Sequence, residues 1–261
     1  MMAPPGSVTA IVLTLNEERN IRDCLESLRW VDEVIVVDAG STDATVAIAG
    51  EFTGRVYVSD WAGYGRARNF AIDRASSEWI IVADADERIP EPLAGELSGI
   101  AAAPREGPEI YEVARRAFFL GKWIRHSGWY PGFVPRFFRK GAARYDDAPV
   151  HEKLLFAGRC GRLVHPMDHH TDDTLFHYLG KFNRYTSLAA SGLSGERRRF
   201  SPAQLLVKPA YLFVRMYIFR LGFLDGIHGL LLALLSASYV FVKYAKLGEA
   251  RAGGRNPGST R

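Results

Sequence analysis

Short apolar runs alternate with stretches of helical periodicity through the first 90 residues. Residues 8–13, 34–37 and 79–83 carry no charged side chain, which predicts strands buried on both faces of a parallel sheet. Between the first two runs, Ile21 and Leu25 recur at helical spacing. Strands that alternate with helices predict an α/β fold with a doubly wound, mostly parallel sheet.

Polar side chains follow each of these strands. They are Thr14, Asn16 and Glu17, then Asp38 and Ser41, then Asp84 and Asp86. Ligands of open α/β sheets bind beyond the carboxyl ends of the strands, so the pattern predicts a site at one edge. In an extended segment, Asp84 and Asp86 point to the same side and suit a divalent cation that also holds phosphate. The alternative is a solvated acidic turn.

A guanidinium and an amide precede the last of these strands. Arg68 and Asn69 lie in a predicted helix that follows Gly63, and an Arg near a helix start can meet phosphate. With the polar strand ends, these residues predict a site for a nucleoside diphosphate. The glycine fingerprints of dinucleotide-binding and P-loop proteins are absent from the sequence.

The pattern changes after Pro90, where residues 91–102 predict a helix with proline at its start. Residues 121–131 then form a loop rich in aromatic and basic side chains, between predicted strands. Aromatic faces and hydrogen-bonding charges suit sugar rings, so this half predicts a sugar-binding surface. The candidate residues, which would bind the acceptor of a sugar transfer, are Trp123, His126, Trp129, Tyr130, Arg136 and His151. The alternative is that the aromatic members belong to the core.

Charge divides the chain into two parts. In a chain of 261 residues with net charge +4, residues 1–180 carry −6 and residues 181–261 carry +10. The positive part holds two strongly apolar stretches, 205–219 and 229–242, flanked by Arg and Lys. This pattern predicts helices that lie in a membrane interface. No uncharged run reaches the ~18–20 residues of a membrane span, so crossing is not expected; the alternative is two core helices.

Composition narrows the function classes. Cys24 and Cys160 are too few for a disulfide framework, which favours a reducing compartment. The sequence shows no basic, apolar leader, so no signal peptide is expected. The positive excess coincides with the most apolar stretch and no nucleic-acid-binding motif occurs, so nucleic acid is not an expected partner.

The strand-end motifs resemble those of family 2 glycosyltransferases with the GT-A fold. The matching segments are residues 12–17 (VLTLNE), 36–45 (VVDAGSTDAT), 68–69 (RN) and 84–86 (DAD). The resemblance implies a nucleotide-sugar donor, usually a UDP-sugar, with Mg²⁺ or Mn²⁺ and inversion at the anomeric carbon. The residues that it assigns to uridine are Thr14, Asn16, Glu17 and Asp38. It further implies that Arg68 lies near ribose or phosphate and that Asp86, with Asp84, serves the metal and the ribose.

A second likeness extends over most of the chain. Residues 123–131 (WIRHSGWYP), 151–152 (HE), 181–185 (KFNRY) and 222–226 (GFLDG) resemble a bacterial lipopolysaccharide-core subgroup, described as β-1,4-glucosyltransferases. It implies a glucose donor and a lipid-linked glycan acceptor. Together with the basic, apolar tail, such an acceptor predicts a place on the cytoplasmic face of the cell membrane. Polyprenyl phosphate or another envelope glycan is the alternative acceptor. A nucleotide-sugar-binding protein without catalysis is the non-enzymatic alternative, against which the intact Asp84 and Asp86 argue.

Inverting displacement needs a base for the acceptor hydroxyl. Glu152, beside His151 as in the resembling subgroup, is the first candidate. Asp147 and Asp146 are rivals, because family members often place an Asp base in this region. The alternative for Glu152 is a salt bridge with an arginine such as Arg136 or Arg139.

Three histidines, His165, His169 and His170, form a second cluster. In GT-A enzymes a C-terminal histidine sometimes completes the metal site, which makes His170 a candidate. We expect four regions along the chain. They are a nucleotide-sugar half at 1–105, an acceptor half at 106–175, a helical membrane-associating region at 176–250 and a disordered tail at 251–261.

Overall fold

The computed structural model describes residues 4–59, 63–104, 106–147, 152–172, 174–195, 201 and 203–253. In that part of the chain the strands, in order, are β1 Val8–Thr14, β2 Glu33–Asp38, β3 Val56–Val58, β4 Trp79–Asp84, β5 Glu87–Arg88, β6 Ile110–Phe119, β7 Lys122–Trp123, β8 Gly132–Arg139, β9 Ala143–Tyr145, β10 Leu154–Phe156, β11 Cys160–Arg162 and β12 Met167–Asp172. The α-helices are α1 Ile21–Glu26, α2 Thr45–Gly50, α3 Tyr64–Arg74, α4 Glu91–Ala102, α5 Leu175–Gly195, α6 Ala203–Val214 and α7 Ile227–Gly253. A π-helical turn, Arg215–Phe219, and a 3₁₀ turn, Gly222–Asp225, join α6 to α7. Two compact units form: residues 1–116 with 132–169, and residues 117–131 with 170–261.

The first unit is built on a sheet with strand order β3-β2-β1-β4-β8-β6-β12-β5, and β11 also pairs with β6. The α/β fold class predicted from the sequence is confirmed. The sheet is mixed, however, which corrects the expectation of a mostly parallel one. Strands β1 to β4 pair in parallel, whereas β4 with β8 and β8 with β6 pair antiparallel.

Register aligns the carboxyl ends of the first strands. Thr14 on β1 pairs with Asp38 on β2, and Leu13 pairs with Asp84 on β4. The polar residues predicted to share one edge therefore do share it. Farther along, β5 pairs antiparallel with β12, so that His169 lies opposite Glu87.

Side chains at alternate positions of the strands belong to two apolar clusters, one on each face of the sheet. The first cluster includes Val12, Val36, Ile81, Leu25 of α1 and Leu93 of α4. The second includes Ile11, Ile35, Ile80 and Ala71 of α3. Each fully buried Ile, Leu or Val contributes roughly 1.5–3 kcal/mol, so the two clusters hold the strand ends in register.

The second unit is mainly helical, and polar contacts join its helices. Lys246 on α7 donates hydrogen bonds to Asn183 Oδ1 at 2.8 Å, Thr186 Oγ1 at 2.9 Å and Ser187 Oγ at 2.8 Å, all on α5. No residue of α6 is buried among the described residues.

Helix α7 runs to Gly253, so the first three residues of the predicted tail are helical. Residues 254–261 lie outside the described residues.

One helix of the described chain, over Ile227–Arg251, is long and apolar enough to cross a membrane. This corrects the expectation, based on uninterrupted uncharged runs, that no stretch reaches spanning length. The difference arises because a span tolerates a cation that reaches toward the interface. Core helices of water-soluble proteins meet the same criterion, but only 22% of the most apolar part of this helix is buried.

Candidate active site

Asp84, the last residue of β4, lies between two buried arginines. Arg68 Nη2 donates to Asp84 Oδ1 at 2.7 Å, and Arg136 Nη2 donates to Asp84 Oδ2 at 2.6 Å. Burial of the Asp84 carboxyl group alone would raise its pKa, but the charges and hydrogen bonds of Arg136 and Arg68 hold that pKa well below its ordinary value. Asp84 is therefore an anion with both oxygens engaged.

The same arginines extend the pairing in both directions. Arg136 also donates to Glu87 Oε1 at 2.8 Å, and the other oxygen of the fully buried Glu87 accepts from Asp84 N at 2.9 Å. At the opposite end, Arg68 Nη1 donates to Glu152. We call Glu152, Arg68, Asp84, Arg136 and Glu87 the ion chain. Its charges alternate in sign, which offsets the cost of burying them.

The ion chain contains three residues that the sequence singled out. Arg136, expected to bind acceptor, is 6% exposed and paired with two carboxylates, and its acceptor-binding role stays a prediction. Glu152 does make a salt bridge, and its partner is Arg68 rather than Arg136 or Arg139. Arg68 was expected beside ribose or phosphate, whereas here its guanidinium joins Asp84 to Glu152.

Asp84 and Asp86 do not share the extended geometry that the sequence predicted for them. Strand β4 ends at Asp84 and residues 85–86 form a turn, so the same-side rule for extended segments does not apply. The pairing of β5 with β12 instead brings His169 Nε2 to 3.4 Å from Asp86 Oδ2. Burial would lower the pKa of His169, but the hydrogen bond and the charge of Asp86 outweigh it and raise that pKa.

His169, rather than the predicted His170, is thus the histidine beside the acidic turn. The ring of His170 stacks on Phe118 at a centroid distance of 4.8 Å in the second unit. Among the described residues no cluster of three His, Cys, Asp or Glu side chains suits a metal ion. Asp86 and His169 form a pair whose oxygen and nitrogen donors match the ligands of first-row divalent metals.

The loops that follow β1 and β2 are joined by side-chain hydrogen bonds. The buried Asp38 accepts from Gly40 N at 2.9 Å and Ser41 N at 2.7 Å, and Ser41 Oγ also donates to it. Ser41 Oγ in turn accepts from Asn16 N at 2.7 Å, and Asn16 Oδ1 accepts from Thr42 N at 2.8 Å. Asn16 has φ +54°, a conformation that Asn tolerates better than most residues. These bonds fix the predicted uridine loop before any ligand arrives.

Thr14 differs from its neighbours in having unused hydrogen-bonding capacity. Its Oγ1 is buried and has no hydrogen-bond partner among the described residues. Such atoms cost free energy unless a ligand or water satisfies them. Glu17, by contrast, donates from its backbone N to Thr45 Oγ1 at 2.8 Å and accepts from Asn20 Nδ2 at 2.8 Å. The nucleotide-binding roles of these residues stay predictions, and Thr14 Oγ1 fits one best.

Asn69 holds the end of β9 against α3. Its Nδ2 donates to Tyr145 O at 2.9 Å, and its Oδ1 accepts from Tyr145 N at 3.0 Å. Helix α3 and the residue after β9 also approach closely at Gly65, where an added Cβ would collide with the backbone oxygen of Asp146. The amide of Asn69 therefore positions the segment that leads toward Glu152, and its predicted nucleotide contact stays a prediction.

The candidate bases differ in their surroundings. The side chain of Glu152 is 10% exposed and paired with Arg68. Asp147 is 64% exposed and lies 3.6 Å from Arg66 Nε. Asp146 Oδ1 accepts from Lys153 N at 3.0 Å. His151, predicted to bind acceptor, lies outside the described residues.

The predicted aromatic acceptor residues belong to the second unit, whereas Arg136 belongs to the first. Trp123 and Tyr130 meet edge to face at a centroid distance of 5.4 Å. His126 Nδ1 lies 3.1 Å from Asp225 Oδ1. Trp129 lines a cavity of that unit. Their acceptor-binding role stays a prediction.

The chain matches a protein-family model and is similar to several known proteins. The family model for glycosyl transferase family 2 matches residues 9–155. A lipopolysaccharide core biosynthesis glycosyltransferase, LpsC, of Rhizobium meliloti (strain 1021) is 33% identical over 96% of this chain and 95% of that protein. Among solved structures, glucosyl-3-phosphoglycerate synthase from Mycobacterium tuberculosis is 26% identical, with TM-score 0.36 over 42% of this chain and 44% of that one. S. aureus TarS (residues 1–349) is 15% identical, with TM-score 0.46 over 95% and 92% of the respective chains.

Arg136→Met should destabilise the protein by about 3–5 kcal/mol, because it leaves Glu87 and Asp84 without their shared cation. The nearest other cation at Glu87 is Arg115, at 3.8 Å. Arg144→Met is the control, since its pair with Asp73 is more than half exposed and should contribute about 0–1 kcal/mol. Urea unfolding measures both. Equal small losses would contradict the structural role of the ion chain.

Proposed function

The chain belongs to glycosyl transferase family 2, and on that premise we propose that it moves glucose from a UDP-sugar onto a lipid-linked glycan with inversion at the anomeric carbon. The observation that carries the proposal is the Asp86–His169 pair, which stands beside the aligned ends of β1, β2 and β4. A donor diphosphate would need charge partners at that edge. Family membership supports the transfer reaction, and the residues support the nature of the donor.

The nucleoside would bind at the loops after β1 and β2. Thr14 Oγ1 has a free hydrogen-bonding site, and the loop carried by Asp38 and Asn16 is already ordered by internal bonds. Ordering before binding lowers the entropic cost of holding a ligand. In this arrangement Asp38, Asn16 and Ser41 act chiefly by shaping the loop that contacts uridine.

The pair of Asp86 and His169 fits a divalent cation, Mg²⁺ or Mn²⁺. Both side chains are partly exposed, at 16% and 19%, and together they offer one carboxylate and one imidazole. Such ions in nucleotide enzymes take one or two protein ligands and fill the remaining positions with phosphate oxygens and water. When bound, the ion would offset the negative charge that develops on the leaving diphosphate. Asp84, whose oxygens are occupied by arginines, would hold the strand end in place.

Glu152 would accept the proton of the acceptor hydroxyl. The ion pair with Arg68 fixes the position of the Glu152 carboxylate and links it to Asp84. A base must lie within hydrogen-bond reach of the proton that it takes, so this positioning matters before basicity does. Asp147 remains the rival base because it is exposed and close in sequence.

The likeness to LpsC, a lipopolysaccharide core biosynthesis protein, supports an acceptor of that kind. Lipopolysaccharide inner core is a glycan attached to a lipid, and a transferase that acts on it meets its acceptor at a membrane. Polyprenyl phosphate is the alternative acceptor.

We also propose that the second unit attaches the protein to the cytoplasmic face of the membrane. Its surface carries large apolar side chains, among them Leu206 at 73%, Phe219 at 74% and Ile227 at 61% exposure. Apolar side chains and cations together suit an interface. Two of the cations of this unit already have protein partners: Lys208 bonds to Tyr244, and Lys246 bonds to α5.

Asp86→Ala should weaken Mn²⁺ binding in the presence of UDP by at least about tenfold and lower transfer by at least ~10²-fold. His169→Ala should weaken Mn²⁺ binding as well. Asp23→Ala is the control, because Asp23 is 71% exposed on α1. Calorimetry and thermal melting separate lost binding from unfolding. Unchanged Mn²⁺ affinity in both site variants would remove the pair from the metal site.

Glu152→Gln should lower turnover by at least ~10²-fold, the usual scale for a lost general base, while UDP binding survives. The isosteric amide keeps the shape of the side chain and removes its basicity. Asp146→Asn and Asp147→Asn are matched variants for the same assay. If Asp147→Asn stops turnover and Glu152→Gln does not, Asp147 is the base.

Leu206→Ser combined with Phe219→Ser should reduce flotation with anionic vesicles, because both remove exposed apolar anchors. Val164→Ser, which changes an equally exposed side chain (82%) of the first unit, should float like the unchanged protein. Added salt should also weaken binding, since each Lys or Arg near an anionic surface contributes roughly 1 kcal/mol. Undiminished flotation of the double variant would contradict this attachment, and release by detergent alone would make α7 a membrane span.

A further inference from the structure

The second unit contains a cavity of about 430 Å³ that none of the steps proposed above uses. Its walls include Ser127, Trp129, Tyr178, Arg215, Arg220 and Tyr239. None of the residues that line it is acidic, so two guanidinium groups give the cavity its charge. The volume falls within the range of roughly 300–1,000 Å³ that is usual for small-molecule sites.

The two arginines are available for a ligand. Arg215 begins the π-helical turn and Arg220 follows its end, and a backbone hydrogen bond of 2.8 Å joins Arg220 N to Arg215 O. Within the described part of the chain neither side chain makes a hydrogen bond or an ion pair. The stem of Arg220 passes close to Gly128, where an added Cβ would lie 3.7 Å from it. Both side chains are exposed at the cavity, so their guanidinium groups can meet an anion there.

Ser127 belongs to the wall of the same cavity, and its hydroxyl lies over Gly222, where an added Cβ would be 2.5 Å from Oγ. Its side chain is 4% exposed, and Oγ has no hydrogen-bond partner among the described residues. Ser127 also has φ +59°, a conformation that costs free energy for a residue with a Cβ. The surrounding structure enforces it, because Ser127 N donates to Arg220 O at 2.8 Å.

The loop that carries Ser127 is held by the buried Asp225. Asp225 Oδ2 accepts from His126 N at 2.9 Å, and Lys122 Nζ donates to the backbone oxygen of Asp225 at 2.8 Å. His126 and Asp225 therefore act as positioning residues for the cavity wall. The cavity wall is therefore ordered in advance, which reduces the cost of binding.

Aromatic side chains complete the cavity. Burial, with the nearby Asp172 and Tyr239, raises the pKa of Tyr178 to about 12, so its phenol stays protonated and can donate a hydrogen bond. The Tyr178 hydroxyl makes no hydrogen bond within the described chain. Trp129 and Tyr239 offer apolar faces of the kind that pack against sugar rings.

We propose that this cavity binds a phosphate group carried by a sugar or by a lipid headgroup, with Arg215 and Arg220 as charge partners and Tyr178 as a hydroxyl donor. A neutral sugar would leave two guanidinium groups unneutralised, whereas a phosphate matches their number and their hydrogen-bonding forks. This assignment rests on the function proposed above, in which the sugar phosphate would belong to the glycan acceptor.

The test uses the full chain and two probes. Calorimetry with glucose 6-phosphate, and with glucose as its uncharged control, reports a sugar phosphate. Flotation with phosphatidylcholine vesicles, with and without phosphatidic acid, reports a lipid phosphate. The variants are Arg215→Gln with Arg220→Gln, and Tyr178→Phe. Arg184→Gln is the control, because Arg184 is an exposed arginine of α5 that does not line the cavity.

The double arginine variant should lose at least about tenfold in affinity for the phosphate probe that binds, the scale of one strong charge-assisted hydrogen bond. Tyr178→Phe should lose less, and Arg184→Gln should change nothing. Loss confined to glucose 6-phosphate identifies a sugar phosphate, and loss confined to phosphatidic acid vesicles identifies a headgroup. Binding of neither probe, unchanged binding by the double variant, or an equal loss in Arg184→Gln would overturn the site.

A parallel titration with UDP separates this cavity from the donor site. The double variant should bind UDP like the unchanged protein, because both arginines belong to the second unit and the proposed donor residues to the first. Failure of the unchanged protein to bind UDP would count against the proposed function alone.

Discussion

The pairing of Asp84 with two buried arginines is the constraint on which the candidate site depends. An unpaired charge in the interior is far more costly than a paired one, so Arg68 on α3 and Arg136 on β8 must stay where the carboxylate of β4 is. Glu152 and Glu87 extend this requirement to the segment before β10 and to β5. Four parts of the chain thereby meet at one strand end. A shift of any of them would leave a charge of the ion chain without its partner.

The side chains at this edge divide into those that hold the site and those left to bind. Asp84, Asp38 and Asn69 have their polar atoms engaged by protein partners. Thr14 Oγ1 has no such partner among the described residues, and the side chains of Asp86 and His169 are partly exposed. A rigid frame of satisfied groups around a few unsatisfied ones is the arrangement that preorganised sites require.

The parts predicted correctly from the sequence are those governed by local patterns. Apolar runs marked β1, β2 and β4, and the helix expected at 91–102 coincides with α4. Two features depend on distant contacts and could not be predicted from local patterns. His169 lies near Asp86 because β5 pairs with β12. Arg136 can be buried because it pairs with the carboxylates of Asp84 and Glu87. The same-side rule for Asp84 and Asp86 failed because a turn begins after Asp84, which a two-residue spacing does not reveal.

We propose that Asp86 and His169 hold the divalent cation of a UDP-sugar at the strand ends. Pulsed electron paramagnetic resonance of Mn²⁺ bound with UDP tests it directly, because a nitrogen ligand gives a hyperfine coupling that oxygen ligands do not. We expect a single imidazole nitrogen coupling in the unchanged protein and its loss in His169→Gln. Coordination by oxygen alone in the unchanged protein, or a nitrogen coupling that persists in His169→Gln, would contradict it.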